Sequence, residues 1–587
     1  CVAPSTLGSY DVILHNGHGG ANGWSQVLSL TVATPWVRDT FTISLSPTGT
    51  NDTTAIQNAL DTVTARSTGG TVQLSAGTFI ATNQIFIEAK SRLLGAGKDL
   101  TKIESRFADT STGQACCVQA IGDNITIEEL EMRFVKTNVA PIYAVFGTSL
   151  APINNALLRN IRIRANPDTF DVLYFDMHWR FLNSEIDGLE LWKMAWFYDC
   201  ADLWIHNSTF YGDLKPYGAE AGISAGYDTR VVYEYNLTET PNWQETMADG
   251  ENLARRLLSG VGGLDYFYIA NNTTKDTFSP FFGDDMNKGE LILFHSLSGH
   301  VKQVASHSGL VTTVRGDSLI DGSAFTQMPL LAMQTGNLPD ITGFNIKIVG
   351  GKGIGQVRKI VSNTSTTVTV GVAWRIDPDS TSKVVMDAGY SDNIIYNNNL
   401  TGVPASHSPP PDTSASSLAQ LDGQCWNNVV EANSGQRVDT SGTIMASYAT
   451  QSFWNEFRNN VSSARGYGTF MAFLDYGLSC DQTATGPGPS LLGNAMRGGT
   501  ITVTGPIYNH NQYDEPISLG DQALNPTGCF PILPDTLESN VYENMTVYGK
   551  ERTVKIGKYS SSLFRNNTIS IDESPAGMDY NIINPKQ

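Results

Sequence analysis

Cysteine is scarce in this chain, charge is scarcer than in an average protein, and positive charge is scarcest. Seven cysteines (1, 116, 117, 200, 425, 480 and 529) are spread over 587 residues without any Cys-x-x-Cys spacing, which excludes a thiolate zinc site of the usual kind. Charged residues make up 16%, against about 25% in an average globular domain. With 38 Lys and Arg against 57 Asp and Glu, the net charge is −19. Nucleic-acid phosphates demand clustered Lys and Arg, so nucleic acid is excluded as a partner. No apolar run approaches the roughly 20 residues that a spanning helix needs, and no membrane span is expected. An initiator Met and a signal-peptide apolar region are also missing, so the sequence reads as a processed or trimmed product. Cys1 as a lipid-bearing first residue would leave little tether before the first strand, and a fragment boundary is the better reading.

What is present is apolar material: 41% of residues are hydrophobic, enough for a large core, and disorder is excluded. Residues 10–14 and 27–32 alternate like strands around a glycine-rich turn that carries His15 and His18. A lone hairpin is not stable in water, so residues 1–34 are expected to pack on the rest or to end an Ig-like β-sandwich. The two histidines read as turn residues, since no third metal ligand accompanies them. The Asn-X-Ser/Thr triplets, among them those at Asn124, Asn236 and Asn460, read as chance products of an Asn-, Ser- and Thr-rich chain.

The next block holds the most information. A capping residue at Asn51 precedes Ala55, Ile56, Ala59, Leu60 and Val63 at helical spacing, predicting a helix over 52–66. Gly69 and Gly70 end it. Residues 71–79 then read as strand, turn, strand, and residues 91–103 carry a Leu-Gly-Ala-Gly-Lys turn. This order, D-T-x-A-I-Q-x-A-L, G-G-T-V-x-L, A-G-T-F and L-x-G-A-G-K-x-x-T-x-I, resembles the opening of the pectate-lyase-like right-handed parallel β-helix superfamily, of polygalacturonase, pectate lyase and phage-tailspike type. The resemblance implies an all-β solenoid whose open end is capped by the helix.

Repetition supports a solenoid independently. Asn recurs ahead of short apolar strands at Asn160, Asn183 and Asn207, spaced 23 and 24 apart, and at Asn544 and Asn566, spaced 22 apart. Further copies stand at Asn271, Asn397 and Asn459. Three short strands per coil account for such a period, and stacked Asn amides would satisfy one another at a turn. The rhythm stops between about 299 and 386, where alternating Val/Thr runs suggest an inserted small β-domain. Within it Gly351, Gly353 and Gly355 superficially suggest a phosphate loop, but strand-like residues follow where a nucleotide loop needs a helix. The expected organisation is therefore a hairpin segment over 1–34, β-helix over 35–298, insert over 299–386 and β-helix over 387–587. The excursion at 213–262 is long enough to suggest function.

The resemblance implies polysaccharide bound along one exposed sheet face, cleaved either by paired carboxylates or by an Arg/Lys base with Ca²⁺. Asp284 and Asp285 are the strongest carboxylate pair, with Asp276 upstream and Lys288 close by. They resemble the Asp-Asp element of polygalacturonase-like hydrolases, although Gly-His-Gly is reduced to Ser298-Gly299-His300 and no Arg-Ile-Lys follows. Adjacent carboxylates that converge on a bulge would split their pKa values into an acid and a base. Asp176 and Asp199 lie 23 residues apart and, stacked, would suit a hard cation such as Ca²⁺ or cap turn amides; Asp265 and Asp392 read in the same way. Arg162 and Arg164 share a strand face opposite Ile161 and Ile163, placed either to bind uronates or to pair with Glu131 or Glu190. Trp192, Tyr211 and Tyr217 belong to an aromatic-rich stretch suited to stacking on sugars. The expectation is an extracellular or cell-surface protein that binds and cleaves polysaccharide, with hydrolysis by Asp284 and Asp285 preferred to elimination. The rival is a non-enzymatic adhesin or filament, a trimer or polymer built from a rigid solenoid.

Overall fold

The computed structural model describes residues 8–12, 28–32, 38–106, 118–134, 152–165, 177–179, 181–191, 195–198, 200–211, 214–217, 229–239, 257–261, 264–277, 292–295, 307–311, 313–315, 318–320, 342–364, 367–387, 389–402, 419–437, 445–464, 469–475, 491–503, 517–519, 522–523, 537–538, 541–550, 554–556 and 563–572, some strand positions by backbone alone. Strand alternation points every second side chain inward, and stacked coils bury those side chains in one continuous core. That core runs from Ile56 of the helix to Met545 and includes Leu158, Ile186, Ile205, Tyr233, Ile269, Ile395, Val430 and Met496. Coil after coil pairs in parallel, and the result is a parallel β-helix.

Each full coil visits four stacks in a fixed order. Sheet A begins with Met177–Trp179 and ends with Val554–Ile556. Sheet B is the narrow stack that includes Ile153–Asn154, Tyr390–Ser391 and Leu491–Leu492. Sheet C runs from Thr42–Leu45 to Leu563–Arg565, and sheet D from Gly77–Ala81 to Thr568–Asp572. A left-handed residue turns the corner between B and C (Asn124, Asn155, Asn183, Asp202, Arg230, Tyr266, Asp392, Asn427, Trp454), and another the corner between C and D (Asn160, Asn207, Tyr235, Asn271, Asn397, Ala432, Asn459, Asn544, Asn566). Asn tolerates this conformation better than other non-glycine residues.

This geometry corrects the reading of the Asn repeat. Asn160, Asn271, Asn397 and Asn459 turn the corner, whereas the residue that follows the corner carries the buried amide ladder. At the C–D corner Asn236, Asn272, Asn398, Asn433 and Asn460 are buried. The backbone N–H and Nδ2–H of each donate to Oδ1 of the next at 2.8–3.1 Å. The second amide hydrogen goes to a sheet C carbonyl, as from Asn398 to Ile269 O at 2.9 Å. A second ladder, Asn393, Asn428, Asn455 and Asn494, lines the B–C corner. The spacing of 23 is likewise no coil length, because Asn160 and Asn183 sit at different corners of successive coils.

The helix spans Thr53–Thr64 and buries Ile56, Ala59, Leu60 and Val63, while Ala55, counted with the apolar stripe in sequence, faces solvent. Asn51 Oδ1 accepts the Thr53 N–H at 3.0 Å, and the Asp52 carboxylate instead accepts the N–H groups of Thr48 and Ile80, both at 2.8 Å. Gly69 follows with φ +71, and a Cβ there would lie 2.0 Å from Lys90 O. Gly69→Ala is therefore expected to cost at least about 2 kcal/mol in urea unfolding.

Between sheet A strand Ile292–His295 and sheet B strand Tyr390–Ser391 lies a separate seven-stranded antiparallel sheet, with strands from His307–Leu310 to Lys383–Asp387. The glycine-rich turn at 351–355 joins Asn345–Gly350 to Val357–Asn363, with a strand on either side, so no helix N-terminus meets the loop. Ile346 and Ile348 enter this sheet's own core, and Val349 and Val357 pack on Trp426, Phe453 and Trp454 of the solenoid. The ammonium of buried Lys347 sits 3.6 Å from the Trp426 ring centre. Among the described residues, no helix is long and apolar enough to cross a membrane.

Candidate functional site

Sheet C turns alternate residues outward, and the register brings them together across coils. Glu185, Trp204, Val232 and Tyr268 form one outward row; Asp187, His206, Glu234 and Ala270 form the next. Trp204 is 42% exposed and stacks on the His206 ring at 3.9 Å and 19°. Its Nε1–H donates to Glu234 at 3.0 Å. Asn207 Nδ2 donates to Asp187 at 3.0 Å and to His206 Nδ1 at 2.8 Å, which leaves the imidazole proton on Nε2, donated to Glu185 at 3.1 Å. Glu185, Asp187 and His206 each offer one ligand atom, all within 4.8 Å of one another. Two carboxylates and an imidazole suit a transition ion better than Ca²⁺, which prefers six to eight oxygens.

Aromatic rings continue from Trp204 over the following three coils. Tyr235 is 60% exposed and Tyr396 37% exposed, and half-buried Tyr268 lies between their coils. Burial, then Glu234, Tyr396 and Tyr235, push the Tyr268 phenol above its ordinary value, because the four groups share one patch. Later coils of the same face are different. Glu431, Arg458, Glu456, Arg497 and Glu543 are consumed by one another, with Arg458–Glu431 and Arg497–Glu456 at 2.6 Å and Arg497–Glu543 at 2.7 Å. Among the described residues of sheet C, the aromatic part is the more open, although Asp187 there also meets Arg159 at 3.7 Å.

At the B–C corner beside Tyr268 and Tyr396 lies a second acidic cluster. Asp265 Oδ1 accepts the Ser391 N–H and Oγ–H, both at 3.0 Å. Ser391 Oγ is also 2.7 Å from Asp392 Oδ2. Burial, and next to it the charge of Asp265, push the Asp392 carboxyl up to about 6, against the pull of Ser391, Asn427 and Lys359. Lys359 reaches Asp265 Oδ2 from the inserted sheet at 3.3 Å.

The sequence profile of the family described as Rhamnogalacturonase A/epimerase, pectate lyase-like matches residues 41–129, the stretch that forms the helix and the first coils. The fold is a parallel β-helix. Solved structures similar to it include the Azotobacter vinelandii mannuronan C-5 epimerase AlgE6 A-module, at 11% identity and TM-score 0.38, covering 90% of this chain and 96% of that one. The Streptococcus pneumoniae surface adhesin PfbA matches at 11% identity and TM-score 0.35, covering 93% and 97%. The catalytic unit of a thermostable GH87 alpha-1,3-glucanase from Streptomyces thermodiastaticus matches at 10% and 0.34, covering 93% and 71%. No curated protein matches the chain.

Within this β-helix the candidate residues read from sequence are dispersed. Arg162 lies on sheet D, where Nε meets Glu190 at 2.6 Å and Nη1 meets Asp99 at 2.7 Å, with Glu131 at 3.6 Å. Burial works against its charge and these carboxylates outweigh it, so the guanidinium is held by pairing on adjacent coils, the second of the two roles considered for it. Half-buried Tyr211 lies nearby, its phenol raised by burial and by Glu239 and Glu190. Arg164 stands opposite Arg133 in the backbone register. Tyr217 ends a sheet A strand opposite Tyr198 and Val261. Asp276 falls where the register of Thr273–Thr277 shifts against the next coil. Asp284, Asp285, Lys288, Trp192, Asp176 and Asp199 lie outside the described residues. Trp204, His206, Glu185 and Asp187 were not singled out together in sequence, where Trp204 and His206 on one alternating strand were the available signal; Asp265 and Asp392 were named there, but not as residues that meet.

Proposed function

We propose that this chain binds a polysaccharide along the outer face of sheet C, over Trp204, Tyr235, Tyr268 and Tyr396, and modifies it there. The observation that carries this reading is the presence of rings on four consecutive coils, Trp204 and Tyr268 in one outward row of sheet C, Tyr396 in the next row and Tyr235 at the C–D corner. Coils repeat at about 4.8 Å, so a linear glycan lying along the axis meets a ring face, and the C–H surfaces of sugars stack on such faces while carboxylates at the edge accept hydroxyl protons. The acidic fringe of Glu185, Asp187 and Glu234, with a net charge of −19, favours a neutral polymer over a uronate polymer. For the chemistry we propose glycoside hydrolysis by Asp284 and Asp285, with Asp276 and Lys288 beside them in sequence.

A panel of neutral and uronate polysaccharides tests both parts, with retention in affinity electrophoresis reporting binding and new reducing ends reporting hydrolysis. Retention of a neutral polysaccharide, with reducing ends lost in Asp284→Asn/Asp285→Asn, is the expected result. Retention of none of the panel sinks the binding reading. Unsaturated, ultraviolet-absorbing products would replace hydrolysis by elimination.

A further inference from the structure

We propose that Arg358 and Arg375 of the inserted sheet form a binding site for an oxyanion of the carboxylate or sulfate kind. The site belongs to the insert rather than to sheet C, and it goes beyond the polysaccharide reading. Residues 341–376 hold Lys347, Lys352, Arg358, Lys359 and Arg375 and neither Asp nor Glu, in a chain whose net charge is −19. Three of these cations are answered: Lys347 lies over the Trp426 ring, Lys359 meets Asp265 at 3.3 Å, and Lys352 meets Asp379 at 3.9 Å. The two arginines are not. Among the described residues, no carboxylate lies within 4.0 Å of either guanidinium. In the solenoid, by contrast, Arg92, Arg162, Arg230, Arg458 and Arg497 each meet an Asp or Glu.

Half-buried Arg358 is held by carbonyls instead. Its Nε–H is shared between Val372 O at 3.1 Å and Ala373 O at 3.2 Å, an Nη2–H goes to Ala373 O at 3.1 Å, and an Nη1–H goes to Val357 O at 2.8 Å. A guanidinium has five N–H groups, so one on Nη1 and one on Nη2 remain. Together they make a two-pronged fork of the kind that carboxylates and sulfates accept. The guanidinium carbon lies 5.2 Å from the ring centre of Trp374, which is 6% exposed and whose Nε1–H is buried without a partner. Buried donors are normally satisfied, and an open one beside two cations calls for an acceptor. Burial and, after it, the charge of Arg375 pull the Arg358 guanidinium below its ordinary value. The two guanidiniums therefore stand close enough to repel, and an anion between them replaces that repulsion with two attractions.

The glycine-rich turn at 351–355 supplies the frame. Gln356 Oε1 accepts the N–H groups of Arg375 and Ile376 at 3.0 and 3.1 Å, and its Nε2 donates to Ile376 O at 2.7 Å and to Gly353 O at 3.1 Å. Gly353 has φ +83, and a Cβ there would lie 2.7 Å from Gln356 Nε2. The turn thus acts by seating Gln356, which fixes the backbone of Arg375. The Arg375 side chain itself is exposed and has no bonded partner among the described residues. The oxyanion can be a free small ion or a uronate residue of a glycan, since both present the same acceptor oxygens.

Isothermal titration of the whole chain at low ionic strength, where screening is weak, tests the site with inorganic sulfate and with a galacturonate oligomer. The wild type is expected to bind one or both; tighter binding of sulfate identifies a free ion as the source, and tighter binding of the oligomer a glycan. Arg358→Gln/Arg375→Gln is expected to weaken binding at least about tenfold, because each lost contact is charge-assisted. Arg375→Gln alone removes no bond that the fold uses, so it should weaken binding several-fold with unchanged urea unfolding, and Arg375→Lys should recover part of the loss. The Trp204, Tyr235 and Tyr396 triple Ala variant should bind the anion as the wild type does, which separates failure of this site from failure of the polysaccharide reading. A wild type that binds neither probe overturns the site. So does an Arg375→Gln chain with wild-type affinity, or anion binding lost in the aromatic triple variant.

Discussion

Asn398→Ala is expected to destabilise the solenoid by about 3–6 kcal/mol, the largest single-residue effect foreseen here. The buried amide of Asn398 accepts both the N–H and the Nδ2–H of Asn272, each at 2.9 Å, and donates to Ile269 O at 2.9 Å and Asn433 Oδ1 at 2.8 Å. Truncation strands two donors and a carbonyl in a place that water does not reach, at about 1–3 kcal/mol each. Asn397→Ala is the matched control. Asn397 is exposed, turns the corner at φ 51 and makes one amide bond to Asn271 at 2.8 Å, so its loss should cost only about 1–2 kcal/mol. Urea unfolding separates the two variants. Equal losses would show that the ladder contributes no more than the corner. Because a solenoid's stability is a sum of neighbouring-coil terms, exchange should rise first in the coils that flank residue 398.

Combined replacement of Trp204, Tyr235 and Tyr396 by Ala is expected to weaken polysaccharide binding by about two orders of magnitude. Each ring should contribute about 1 kcal/mol or more through stacking and buried area, and about 1.4 kcal/mol corresponds to tenfold in affinity. All three side chains are exposed, so the fold should survive their loss, unlike that of Trp426, which is 1% exposed. Trp204→Ala alone also uncovers His206, on which the indole stacks. A triple variant that retains wild-type affinity would place the glycan on another face.

The solenoid was legible because its requirements are local. The helix over Thr53–Thr64 announced itself through Ile56, Ala59, Leu60 and Val63 at 3.6-residue spacing. The turns announced themselves through Asn, which tolerates positive φ. The burial of the amides was read one residue early, because Asn397 and Asn398 are adjacent and identical, and only the corner geometry decides which of the two points inward. The alternative roles of Arg162 could not be separated in sequence, since Asp99 lies 63 residues away and Glu190 28 residues away.

Sequence by itself therefore determined the class of fold: alternating apolar residues, left-handed corner residues and repeated amides leave a stacked parallel coil as the arrangement that satisfies them all. Only tertiary structure decided which charges neutralise one another and which remain open. Coil length varies from turn to turn, so register across coils has no fixed period, and a residue's partner is found in space rather than by counting. Asp265 and Asp392 meet because the inserted sheet leaves and re-enters the solenoid between them, and Trp204 and Tyr268 fall in one row, with Tyr396 in the adjacent row and Tyr235 at the neighbouring corner, because stacking sets their coils one on the next.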